Sequence, residues 1–387
     1  MKGILKLLKI LILVTVFMCV CFCLGTMLGC WIKGRSFADS MAKIGSTPWL
    51  EVTGVALFSI VSAVIGGGLQ VVVHELGHLV FGLFSGYRFL SFFVFGFVIV
   101  KEGSRLKVKR HNMPGALGQC LMLPPEHKGD RVPVVGYNAG GVIFNLLLTV
   151  GCLLPLVLGH PSPLMAVFLG VTAFMGLYMI IMNGVPMHVG GMPNDGYNIL
   201  KLHGNPKSRR AFAGILRLTA MVKSGVRPRD LPGASFDSFE DVDFSEPLQV
   251  NMLSAYAAYL LDKGEYEKCE SICREIIEKE AHVRFFMVDA KCELACILYR
   301  SGRIEEARET LDDDDMKMVN AMKETMSSKQ RFLMFSALYG DGDVATAESI
   351  YRHVLDNKAR YLIQGETIMD LDMMSSALSE YRSTLAK

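Results

Sequence analysis

Two histidines four residues apart, with a glutamate between them, stand at His74-Glu75-Leu76-Gly77-His78 in this chain of 387 residues. Positions i and i+4 share one face of a helix, so both imidazoles can reach a single zinc ion. The glutamate beside them can take a proton from a metal-bound water. Their setting sharpens the reading. Between Glu51 and Arg88 the only charged side chain is Glu75, and ionisable groups inside an apolar span are costly enough to mark function. A polar cluster that only holds helices together is the plainer account, but it gives Glu75 no task.

A catalytic zinc needs three protein ligands and one open position. From Val132 to Asn194 there is no Asp, Glu, Lys or Arg, and the first charge that follows is Asp195, in Asn194-Asp195-Gly196. Asp195 is therefore the candidate third ligand. A helix cap or turn is the plainer role for an aspartate in that context, and His188, seven residues earlier, is an alternative ligand.

The elements that must carry these residues are apolar. Hydrophobic residues make up 51% of the chain and the mean hydropathy is +0.33, too apolar for an ordinary soluble protein. The net charge of +2 gives no pointer to nucleic acid. Residues 10–32 carry no charge and follow Lys2, Lys6 and Lys9, which predicts a retained membrane anchor with a cytoplasmic N-terminus. A cleaved signal peptide is the competing reading, and the run is longer than its apolar region usually is. A second apolar run covers 52–87, where Gly66-Gly67-Gly68 could bend the helix, and Gly82 and Gly86 offer a small-residue face. Two further spans are expected at 134–158 and 164–184, turning at His160-Pro161-Ser162-Pro163. Four spans return the chain to the cytoplasm, in agreement with the basic residues from Lys201 to Arg229.

Between the second and third spans, Ser91–Val100 and Arg105–Lys109 read as the two limbs of a β-hairpin that turns at Lys101–Ser104. An open strand edge cannot face lipid, so helices or a wet cavity must shelter it. An unwound substrate segment could add to its outer strand. Gly118–Pro125 reads as a loop without a chemical role.

Beyond an acidic linker at 230–247 the pattern changes to amphipathic helix with internal repetition. Gly264, Gly302 and Gly342 each stand five residues before a small residue, Cys269, Ala307 and Ala347, at a period of about 38–40. Such units stack into tetratricopeptide-like helical repeats with a groove for another protein. Of the ten cysteines, Cys269, Cys273, Cys292 and Cys296 lie here. Small core residues are the simpler reading of these four, and a second metal site the alternative. The basic stretch Lys207–Lys223 could instead lie on the membrane surface as an amphipathic helix.

Taken together, His74-Glu75-Leu76-Gly77-His78 with Gly82 and Gly86, Gly141-Val142-Ile143-Phe144-Asn145, and Asn183-Gly184-Val185-Pro186 followed by Asn194-Asp195-Gly196 resemble, in order, the core motifs of the site-2 proteases. These are zinc metalloproteases that cleave within membranes, and the resemblance covers about residues 52–200. It implies that His74, His78 and Asp195 hold Zn2+ and that Glu75 is the general base. It also implies that Asn183 and Pro186 position substrate, with Asn145 near the site. The chain departs from many relatives in leaving no room for a PDZ domain after the hairpin. Its C-terminal part is also not the paired nucleotide-sensing module that some relatives carry.

The resulting expectation is an all-α polytopic membrane protein of about four transmembrane helices with a short β-hairpin, plus a soluble TPR-like domain. The divisions are an anchor at 1–51, a protease core at 52–200, a basic segment and linker at 201–247, and repeats at 248–387. The expected substrate is a membrane protein or membrane-embedded peptide. The expected place is a bacterial plasma membrane, with the N-terminus and repeat domain cytoplasmic. The alternative function is a membrane scaffold acting through its repeats, with a structural or vestigial metal site.

Overall fold

An uncharged, proline-free stretch from Val52 to Val73 has no means of ending a helix. In the computed structural model Trp49–Phe84 is one continuous helix of 36 residues, α2, preceded by the short α1, Phe37–Gly45. At 1.5 Å per residue α2 is about 54 Å long, well beyond a bilayer's hydrocarbon core. The structure describes residues 36–385, apart from 103–104, 111–116, 126–131, 190–191, 237–241, 280–282 and 362, together with Met27, Cys30 and Gly34. The expected span at 10–32 lies outside the described residues, those few positions aside.

Two more helices share this character: α3, Val134–Leu158, and α4, Pro163–Gly184. Among the described residues, α2, α3 and α4 are the three helices long and apolar enough to cross a membrane. Much of their apolar surface is bare, with Val64 72% and Leu147 61% exposed, which is compatible with a membrane protein. The chain divides into two compact units, Met1–Leu69 with Leu147–Leu177, and Gln70–Leu146 with Tyr178–Lys387. In the first, Gly66 lets Thr172 approach so closely that an added Cβ would meet its hydroxyl at 2.4 Å. The triple glycine thus serves close packing while the helix runs on through it. Gly86 does not extend the small-residue face. It takes φ +83 and lets the Tyr87 N–H donate to the Gly82 carbonyl, ending the helix.

The expected hairpin is instead part of a four-stranded antiparallel sheet, with order β3-β2-β1-β4. Its strands are β1, Arg88–Val94; β2, Phe97–Glu102; β3, Arg105–Arg110; and β4, Gly118–Leu123. The run read as one limb holds a tight turn at Phe95 and Gly96, with φ +47 and +82. Gly118–Leu123, read as a loop, pairs with β1 from Val94↔Gly118 to Arg88↔Leu123. A two-stranded hairpin, β5, His188–Val189, and β6, Met192–Pro193, precedes α5, Asp195–Gly204, and α6, Pro206–Lys223.

Helix α6 is not free to lie on a membrane by its apolar face. Ala211, Phe212, Leu218 and Val222 are buried, in one core with Phe92 and Met122 of the sheet, Val134 and Tyr137 of α3, and Leu248 and Met252. Full burial of a Leu or Phe side chain contributes about 1.5–3 kcal/mol. Arg217 and Lys223 on the same helix donate to the Pro125 carbonyl and the Gln119 amide oxygen. The helix therefore clamps the β4 end of the sheet.

The C-terminal part is a succession of helices. These are α7, Pro247–Lys263; α8, Tyr266–Glu278; α9, Arg284–Arg300; α10, Ile304–Glu309; α11, Asp313–Met322; α12, Ser327–Phe335; α13, Val344–Asp356; and α14, Gln364–Leu385. Gly264, Gly302 and Gly342 share one left-handed conformation, φ +79, +81 and +69. Each permits the turn into the next helix, where Cys269, Ala307 and Ala347 are fully buried. All four C-terminal cysteines sit in this core as free thiols.

A buried ionic network runs through the core. Arg331, wholly buried, donates from Nη2 to Glu293 and from Nε to Asp370, the latter at 2.7 Å. Lys329 Nζ donates to Asp289 at 2.5 Å. Glu366 is left without a cation of its own. Burial, reinforced by Asp289, Asp370 and Glu293 and opposed by Arg331, pushes its carboxyl up to about 8. The unfolded chain sheds this proton near the ordinary 4.5, so between 4.5 and about 8 the folded state binds more protons and stability falls as pH rises. Glu366→Gln should therefore melt increasingly above the wild type as pH climbs through that window. Circular dichroism melts at pH 5 and 8.5 showing the same difference would contradict this.

Candidate metal centre

The ligating residues come from elements far apart in sequence. His74 and His78 occupy successive turns of α2, and Asp195 opens α5. The approach of α3 to α2 is set by glycine: a Cβ on Gly77 would lie 2.1 Å from the Gly140 carbonyl oxygen, and one on Gly140 would lie 2.3 Å from that of Gly77. Backbones this close leave room for only one thing beside His74, and that is Gly141, where a Cβ would strike the imidazole at 2.5–2.8 Å.

Three atoms converge. The Nε2 atoms of His74 and His78 are 3.1 Å apart, and Asp195 Oδ2 lies 3.2 Å from the first and 3.4 Å from the second. His74, His78 and Asp195 are the one group of metal-ligating side chains found together among the described residues. His188, the alternative ligand, is not in it; it is exposed on β5 with its ring against Tyr197.

The remaining contacts fix which nitrogen carries the proton. Asn145 Nδ2 donates to the Gln70 carbonyl and to Gln70 Oε1, both at 2.8 Å, which turns its Oδ1 toward His74 Nδ1 at 2.7 Å. An amide oxygen only accepts, so Nδ1 carries a hydrogen, and in the neutral imidazole Nε2 then presents a lone pair. His78 Nδ1 donates in the same way to the Tyr137 carbonyl at 2.8 Å. Asp195 Oδ2, buried, has no hydrogen-bond donor. With both imidazoles neutral, three lone pairs face one another. A tetrahedral zinc with bonds of 2.0–2.1 Å would space its ligand atoms about 3.3 Å apart, the separation found within the trio. Two imidazoles and a carboxylate suit zinc and its transition-metal neighbours better than magnesium or calcium.

Asp195 is placed by a residue whose importance the sequence does not announce. Asn194 is the N-cap of α5. Its Oδ1 accepts from the N–H groups of Tyr197 and Met187, while Nδ2 donates to the carbonyls of Met182 at 2.7 Å and Val185 at 2.6 Å. One buried side chain thus ties the end of α4 to the start of α5. Gly196 completes the contact, since a Cβ there would lie 2.2 Å from the Gly184 carbonyl oxygen.

Glu75 is buried beside the histidines, 8% exposed. Its carboxylate lies against Gly118, where an added Cβ would come within 2.7 Å. The Cys120 carbonyl accepts from the Tyr137 hydroxyl at 2.7 Å. The outer edge of β4 thus meets Tyr137 of α3, with Glu75 of α2 against Gly118. The open edge is β3, exposed along its whole length, but it stands three strands, about 14 Å, from β4. Adding a substrate strand to the outer limb of the 91–109 hairpin would leave that strand far from Glu75. The short hairpin His188–Pro193 ends two residues before Asp195, and both of its strands carry exposed residues.

Asn183 and Pro186 lie where α4 gives way to this hairpin. Asn183 Nδ2 donates to the Met179 carbonyl one turn back, and Pro186 is exposed. Neither hydrogen-bonds the ligand trio among the described residues. Comparison of the chain with protein-family models, with curated proteins and with solved structures gave no match.

If Asn145 fixes the His74 tautomer, Asn145→Ala should weaken metal binding by about 10–100-fold, the usual cost of losing such a hydrogen-bond partner. Competition with a chelator of known affinity measures it, and an unchanged affinity would sink the assignment.

Proposed function

We propose that this chain is a zinc metalloendopeptidase of the site-2-protease type, hydrolysing a peptide bond in or near a membrane-spanning segment of another protein or peptide. The observation that carries the reading is the convergence of three lone pairs from His74, His78 and Asp195, with a buried carboxylate next to them in an otherwise uncharged helix. A zinc ion held there would supply Lewis acidity at the open position and bring the pKa of water to around 7. Glu75 takes the proton from the attacking water and returns it to the amine that leaves. Its carboxylate has its place beside the histidines because Gly118 carries no side chain. His74 and His78 keep their Nδ1 protons throughout, held by Asn145 and Tyr137.

A helical substrate hides its carbonyls in its own hydrogen bonds and must be extended before water can reach one. The hairpin His188–Pro193 is the platform for that extension, next to Asp195 and flanked by Asn183 and Pro186. The anchor at 10–32 adds a fourth span, which puts the N-terminus and the C-terminal helices in the cytoplasm of a bacterial cell. The helix pairs turned at Gly264, Gly302 and Gly342 act as TPR-like repeats that recruit the substrate or a regulator. A scaffold with a purely structural metal has no use for a base, and Glu75 is what tells against it.

Glu75→Gln should abolish cleavage and leave metal content at the wild-type level. Membrane peptides released by cells carrying each form can be compared by mass spectrometry; the same peptides from both would rule out the assignment of Glu75. Val189→Pro should slow turnover at least tenfold without loss of metal, whereas Val108→Pro on β3 should leave turnover unchanged. The reverse order of effects would return docking to the larger sheet.

A further inference from the structure

The C-terminal helices enclose a cavity of about 140 Å³, walled by α6, α7, α9, the start of α12 and α14. Its polar lining is one-sided. Asp289, Glu293 and Glu366 line it with Ser254 and Ser328, and no lysine or arginine does. Asp289 and Glu293 are each held by a cation, Lys329 and Arg331. Glu366 has no hydrogen bond or ion pair to any described residue within bonding distance, and Arg331 is already committed to Glu293 and Asp370. Four carboxyls, Asp289, Glu293, Glu366 and Asp370, thus share two cations.

A second feature points the same way. Ser328 lines the cavity and is 6% exposed, yet its Oγ has no hydrogen-bond partner. A native interior rarely leaves a buried hydroxyl unsatisfied unless something else comes to meet it. Apart from Thr219 and Asn251, the other lining residues are apolar, with Leu218, Phe286 and Met369 among them, and they suit a hydrocarbon stem.

We propose that this cavity is a binding site for the side chain of a lysine on a partner polypeptide. An ammonium has three donors and needs three acceptors; the Glu366 carboxylate, Ser328 Oγ and Ser254 Oγ supply them. The methylene stem lies along Leu218, Phe286 and Met369, as lysine stems do when only the head needs polar company. The ammonium gives the ionised Glu366 carboxylate the cation that it lacks among the described residues. The proposal rests on the helical unit being a partner-binding module and is independent of the metal centre.

Binding is also coupled to a proton. Glu366 faces Asp289, Glu293, Asp370 and Arg331, with Lys329 behind Asp289, and holds its proton to about 8 in the absence of a ligand. A lysine ammonium entering at pH 7 displaces that proton, so affinity rises between pH 7 and 9, below the range in which lysine itself is deprotonated.

The test is calorimetric titration of the full chain in detergent micelles with acetyl-Ala-Leu-Lys-Leu-Ala-amide and its norleucine counterpart. The lysine peptide is expected to bind at least tenfold more tightly, with a heat that depends on the buffer's ionisation enthalpy. Glu366→Gln, expected to fold at least as stably as the wild type, should erase the preference, and Ser328→Ala should reduce affinity several-fold. Equal binding of the two peptides would overturn the lysine site while leaving the repeats as a binding module. Absence of binding by both, or a preference that survives Glu366→Gln, would also overturn it.

Discussion

Two imidazole nitrogens and a carboxylate oxygen, held 3.1–3.4 Å from one another with their lone pairs inward, repel unless a cation lies between them. Much of the second unit exists to hold them there. Gln70 orients Asn145, Asn145 fixes His74, the Tyr137 carbonyl fixes His78, and Asn194 delivers Asp195 to the same point. Each of these is a polar group that would be costly to bury alone, and each is satisfied where it stands: Gln70 and Asn145 by one another, and Asn194 by the backbone at the end of α4 and the start of α5.

Small residues make the convergence possible. Gly77 and Gly140 bring two helices into backbone contact, Gly141 gives the His74 ring its space, Gly118 gives Glu75 its own, and Gly196 seats α5 on the end of α4. In a membrane, where apolar side chains gain little by leaving lipid for one another, such close backbone approach is a main source of helix association. The same glycines that allow the helices to pack thus also shape the chemical site. A methyl group added at Gly141 would be felt first by the His74 ring.

How much of this could be read from the chain depended on whether the signal was local. The pentapeptide His74–His78 declares itself by helical spacing, and Asp195 by the long uncharged run before it. The repeat glycines could be found because Gly264, Gly302 and Gly342 perform one backbone task three times. Other features gave weaker signals. The turn at Phe95 and Gly96 places a phenylalanine at positive φ, where turn preferences do not look for one. Strand β4 has no alternation, because its side chains are packed on more than one side. Asn194 reads as an ordinary cap, and only the fold shows that its amide also holds the end of α4. Gln70 lies in a run of apolar residues where nothing but the position of Asn145 reveals its part. Helix α6 looks amphipathic and surface-seeking until the sheet is seen to cover its apolar face.

The account turns on what the trio binds, and zinc-edge X-ray absorption of the full chain tests that most directly. It predicts a four-coordinate shell of nitrogen and oxygen at about 2.0–2.1 Å, with the outer scattering of two imidazoles and one position taken by solvent. Sulfur scattering near 2.3 Å would place the metal on the cysteines of the C-terminal helices instead, and would contradict a centre at His74, His78 and Asp195.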